Sequence, residues 1–205
     1  MFSLVLRGFA LGFAIAASPG PIFFLCLRRT LIRGRLYGLV SGLGVATADA
    51  FYAAIAAFGF AVVVSAVTSA RRPLALTGGV VLIGLGLRIL LERPDRPGGA
   101  PTTSRAGLVW AFLSTLGLTI ANPATIISFA ALAATLSLGG SSGLAKPAAL
   151  VVGVLLGSAA WWTVLASGAS LLRTRLTGRV IRGMSVFSGL AIALLGMLAI
   201  YSAFS

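Results

Sequence analysis

Apolar residues in this chain do not alternate with polar ones; they run. Hydrophobic stretches occupy residues 4–27, 37–66, 74–91, 107–138, 148–172 and 184–204, separated by short basic, glycine-rich or proline-rich segments. Each run reaches the length, about 18–20 residues, at which a helix crosses a bilayer. No period-two alternation appears, so a transmembrane barrel is excluded. The pattern predicts an all-α membrane protein of six transmembrane helices. Residues 92–105, with three prolines and two glycines, are the one long polar stretch. They read as a linker joining a first three-helix repeat, 1–91, to a second, 106–205, within one integral membrane domain.

Two of the six runs are interrupted. Ser18-Pro19-Gly20-Pro21 lies inside the first, and Asn122-Pro123-Ala124-Thr125 inside the fourth. A proline within a helix removes a backbone hydrogen bond and clashes with the preceding turn, at about 3 kcal/mol. In hydrocarbon the freed carbonyls must find protein or water partners. The breaks sit at matching places, which predicts that helices 1 and 4 are broken for a purpose. A secretory signal is the plainer reading of the N-terminus, but Arg7 lies within the apolar run and the run continues past Pro21.

The halves align by eye. Pro19 matches Pro123 at an offset of 104, Phe51-Tyr52 matches Trp161-Trp162 and Gly86 matches Gly196 at 110, and the pair Gly38/Gly42 matches Gly153/Gly157 at 115. Loops after segments one, three and five hold twelve of the sixteen basic residues, and the other side holds Arg7, Arg71, Arg72 and Lys146. Positive loops stay in the cytoplasm, so loops one, three and five are expected there and both termini outside. Three spans per half make the repeats inverted, a pattern of secondary transporters.

Composition narrows the chemistry. The 205 residues are 59% hydrophobic and 9% charged, against about 25% charged in soluble proteins. The net charge of +13 lies in loop clusters and not along a stripe with interleaved aromatics, which argues against nucleic acid. One cysteine, Cys26, and no histidine leave no dithiol relay and no His/Cys metal site, and three acids in all argue against a carboxylate cage. No metal, no cofactor and no enzymatic activity are expected.

Asp49 is the one acid in any span. An intramembrane carboxylate costs about 2.5–3.5 kcal/mol on insertion scales and is a functional candidate by default. It reads as a proton-coupling site or as the counter-charge for a substrate ammonium. The plainer alternative is a structural hydrogen bond to a neighbouring helix, or a pair with Arg88. Broken helices expose backbone groups that bind the ends of a zwitterion. Asn122, Thr125, Ser18 and Thr47 are the polar side chains expected to line such a site, with Pro19, Gly20, Pro21 and Pro123 making the breaks. Phe51, Tyr52, Trp161 and Trp162 are candidates for lining the path, equally with plain packing. The arginine clusters read as topology determinants.

These motifs resemble the lysine-exporter (LysE/RhtB) family of bacterial amino-acid exporters. The resemblance rests on Ser18-Pro19-Gly20-Pro21, Ala48-Asp49-Ala50-Phe51, Ile120-Ala121-Asn122-Pro123 and Ser158-Ala159-Ala160-Trp161, in that order along nearly the whole chain. It implies a multi-pass protein of the bacterial inner membrane that exports amino acids or similar small zwitterions using the proton-motive force. With the glycine seams it also allows a homodimer. Relatives often carry lysine or asparagine after the Asn-Pro, where this chain has Ala124-Thr125, and an aromatic stretch where it has Leu82-Ile83-Gly84-Leu85; the substrate is therefore open. A cation, metal or other small-solute transporter of the same superfamily is the alternative, as are a redox conduit and a membrane assembly protein without transport.

Overall fold

The computed structural model describes residues 1–58, 71–91, 104–135, 144–172 and 178–204. The described residues form eight helices: α1 (Phe2–Ala16), α2 (Pro21–Arg33), α3 (Arg35–Ala57), α4 (Arg71–Leu91), α5 (Arg105–Ile120), α6 (Pro123–Thr135), α7 (Ala145–Leu172) and α8 (Gly178–Ser202). The end of the second apolar run, most of the linker and residues 136–143 and 173–177 lie outside them. Three helices are long and apolar enough to cross a membrane: α3, α7 and the Ser185–Ser202 part of α8. Two bent pairs raise the number to five, α1 with α2 at 81° and α5 with the Thr125–Leu132 part of α6 at 60°. The sixth expected span corresponds to α4, whose apolar part, Ala75–Leu91, is shorter.

The breaks fall where the prolines predict, but their physics differs from a strained kink. Pro21 is the first residue of α2 and Pro123 the first of α6. At that position the missing N–H has no intrahelical partner to lose and the fixed φ suits the helix. The chain therefore ends one helix and starts another. Phe24 N–H donates to the Gly20 carbonyl and Ile126 N–H to the Asn122 carbonyl, which opens the new ladders at equivalent points.

A second difference concerns the basic segment after the first run. Arg28, Arg29 and Arg33 are not in a loop, because α2 runs to Arg33 and Gly34 alone separates it from α3. Gly34 has φ 95°, a conformation open to glycine and costly for residues with a Cβ.

Packing is organised by close backbone approach. α3 and α7 pack together at the centre, α1 lies along α7, α5 along α3, and α4 against α8. A Cβ on Gly8 or Gly12 of α1 would run into the carbonyl oxygens of Leu150 or Val154, and one on Gly153 or Gly157 of α7 into those of Val5 or Phe9. Small residues let helix backbones meet in this way without any aqueous hydrophobic drive. The α4–α8 pair is reciprocal: Gly79 sits on Gly196 and Gly86 on Gly189, and an offset of 110 exchanges the two contacts. The buried positions of the two helices also coincide at that offset, from Ala75 and Ser185 through Leu82 and Ile192 to Ile89 and Ala199.

Gly157→Leu is expected to abolish a monodisperse peak in detergent size-exclusion chromatography, since overpacking costs about 1–3 kcal/mol even where atoms can yield and here they are backbone. Gly84→Leu, where an added Cβ meets nothing within 4 Å, is expected to elute as the wild type.

Candidate functional site

A cavity of about 160 Å³ opens where the two breaks meet α3 and α7. Its walls include Ser18, Pro19, Gly20 and Pro21 from the first break, Thr119, Asn122, Thr125 and Ser128 from the second, Asp49 from α3 and Trp162 from α7. The starts of α2 and α6 are thus both at the cavity. First-turn N–H groups have no intrahelical acceptor, and each helix start carries roughly half a positive charge.

Asp49 is 2% exposed. The Ser158 hydroxyl of α7 donates to its Oδ2 at 2.7 Å, and this bond joins the two central helices. The structural hydrogen bond to a neighbouring helix that the plainer alternative expects is thus present, whereas its other form, a pair with Arg88, is not: Arg88 lines a separate cavity between α4 and α5. Among the described residues no three His, Cys, Asp or Glu side chains cluster.

Of the residues singled out from the sequence, Asp49, Ser18, Asn122 and Thr125 are brought together with Pro19, Gly20 and Pro21. Thr47 is not: it is exposed, and its hydroxyl donates to the Leu43 carbonyl one turn back. Two residues turn a helix by about 200°, so a neighbour of Asp49 in sequence points away from it. Phe51 is turned away for the same reason and is exposed. Tyr52 is buried against Phe129 and donates its hydroxyl to the Ile120 carbonyl, which pins the end of α5 beside the break. Trp162 lines the cavity, while Trp161 packs edge-on against Phe13 of α1.

Sequence reasoning passed over Ser158, Thr119 and Ser128 as site residues. Ser158 had a signal, since it stands in the Ser-Ala-Ala-Trp motif of an otherwise apolar helix. Arg29, grouped on sequence with the topology arginines, has a packing role that composition does not reveal. Arg29 is 8% exposed. Its Nη1 donates to Ser41 Oγ at 3.1 Å and to the Ala111 carbonyl at 3.0 Å, and its Nη2 to Ser114 Oγ at 2.8 Å. A buried guanidinium is tolerated where such acceptors replace water, and this one ties α2 to α3 and α5. Each hydrogen bond to a charged group contributes about 1.5–3 kcal/mol. Arg29→Ala is therefore expected to lower the thermal midpoint of the detergent-solubilised protein well below that of Arg33→Ala, whose guanidinium lies over the Tyr37 ring at the surface.

The family model described as LysE type translocator matches residues 13–203. The chain is 26% identical over 187 residues to YahN, an uncharacterized membrane protein of Escherichia coli (strain K12), an alignment covering 90% of this chain and 83% of the relative. It is 28% identical over 199 residues to the chemotactic transduction protein ChpE of Pseudomonas aeruginosa, covering 96% of each. No solved structure matches it. With the family model spanning nearly its whole length, the chain belongs to the LysE-type translocators, a family of multi-pass membrane transport proteins.

Proposed function

We propose that this protein exports amino acids or related small zwitterions across the bacterial inner membrane by proton antiport. The observation that carries the reading is a buried carboxylate, Asp49, in a cavity walled by two helix starts. A buried carboxylate needs a proton, a cation or hydrogen bonds to offset its lost hydration. Ser158 supplies one hydrogen bond, and the rest falls to whatever occupies the cavity. A proton or a substrate ammonium neutralises Asp49, while the N–H groups at the starts of α2 and α6 suit a substrate carboxylate. At about 160 Å³ the cavity is below the roughly 300–1,000 Å³ of typical ligand clefts, which favours a small metabolite.

Alternating access follows on this reading from two inverted halves rocking about the site. The reciprocal Gly79–Gly196 and Gly86–Gly189 contacts support such a pseudo-twofold relation. So does the way α1 lies on α7 as α5 lies on α3. The excess of basic residues at one end supports cytoplasmic loops one, three and five, with both termini outside.

The test is efflux from proteoliposomes preloaded with a panel of labelled amino acids, with the exterior acidified. At least one substrate is expected to leave faster than from vesicles without the pH gradient. Asp49→Asn should abolish the pH-driven component. Ser158→Ala should slow it by about 10- to 100-fold, the equivalent of a lost hydrogen bond to a charged group. Thr47→Ala should transport as the wild type. Failure of every amino acid to move, together with an Asp49→Asn strain as tolerant of toxic amino-acid analogues as the wild type, sinks the proposal.

A further inference from the structure

A second cavity, of about 500 Å³, lies between α4 and α5. It is graded from end to end. Arg88, Trp110 and Ser114 line one end, and at the other Gly78 meets Ala121 beside the second break. Between them the walls are apolar, with Val81 and Leu113 on the two sides and Gly84 and Gly117 leaving open space. Arg88 is exposed. Ser114 is held by Arg29, which also reaches Ser41 near the start of α3, so the Arg88 end is the strongly basic end of the bundle.

We propose that this groove binds an anionic phospholipid, its phosphate at Arg88 and one acyl chain along α4 and α5. The length fits: from Arg88 to Thr77 is eleven residues, or roughly 16 Å of helix, and one leaflet of hydrocarbon is roughly 15 Å deep. The polarity fits as well, with a cation, an indole and a hydroxyl at headgroup level and apolar walls below. A basic pocket between transmembrane helices is a recurrent headgroup site. The groove is one-sided. At the offset of 110, Phe187 and Leu194 of α8 stand where α4 has Thr77 and Gly84, and Phe187 is packed on Phe24 of α2 at 4.9 Å. The substrate zwitterion fits the groove poorly. Asp49 belongs to the other cavity, and the Thr77 hydroxyl donates to the Pro73 carbonyl at 2.7 Å.

Trp110 is 57% exposed and reports on the groove directly. The full chain is reconstituted in phosphatidylcholine vesicles carrying a small fraction of lipid brominated on the acyl chain, as either phosphatidylglycerol or phosphatidylcholine. Quenching in Trp110→Phe is subtracted as the contribution of Trp161 and Trp162. Brominated phosphatidylglycerol is expected to quench Trp110 with about fivefold higher apparent affinity. Arg88→Gln should remove the headgroup preference, and Gly84→Leu, which fills the groove without a backbone clash, should weaken quenching by both lipids. Equal quenching by the two headgroups in the wild type overturns the proposal, as does a preference that survives Arg88→Gln. Protection of Trp110 from both lipids also overturns it, and points to a second copy covering the groove. None of these readouts depends on which solute is transported.

Discussion

In hydrocarbon a backbone N–H or C=O has no water to turn to, so a chain that spans a bilayer has to close every peptide hydrogen bond on itself. Within the described apolar runs the helical ladder is interrupted around residues 17–20 and 121–122, where one helix ends and the next begins. These two interruptions are not scattered. Both lie on the same cavity, together with Asp49. Irregular backbone is tolerated at membrane depth where protein or a cavity surrounds it, and the placement of the breaks follows from that.

The central pair α3 and α7 is what makes such a cavity sustainable. Gly42 admits the Trp162 side chain and Gly44 admits the backbone of α5, so α3 can be enclosed without voids that bulkier residues would have to prop open. The Asp49–Ser158 bond lies in this seam. Arg29, further toward the basic end, fastens α2 to the same helix through Ser41. The half of the first broken helix that follows the break is thus held by a charged network, and the half that precedes it by glycine contact with α7.

The chain's own pattern made the two breaks and the burial of Asp49 legible, because each is a deviation from an apolar background. Rotation about the helix axis was not legible. Thr47 and Phe51 flank Asp49 in sequence and face away from it in space, yet α3 is apolar all round and offers no polar face from which to read a phase. Arg29 was hidden for a related reason. In a chain whose arginines gather near the ends of the apolar runs, composition does not separate one buried guanidinium from its neighbours Arg28 and Arg33; tertiary acceptors on α3 and α5 do. The cost assigned to the prolines was also misplaced, since a proline at the first position of a new helix gives up little.

The two polarities of the cavity constrain any occupant, whatever its identity. Two helix starts present partial positive charge and N–H donors, while Asp49 presents negative charge when ionised. An anion alone would leave the carboxylate uncompensated, and a cation alone would leave the helix starts facing nothing better than water. A molecule with both charges a few bonds apart satisfies both walls at once. Its departure leaves Asp49 to be neutralised by a proton instead. On the proposed reading, exchange of a zwitterion for a proton is therefore the electrostatic consequence of placing one acid between two helix starts, and it requires no further ionisable group in the membrane.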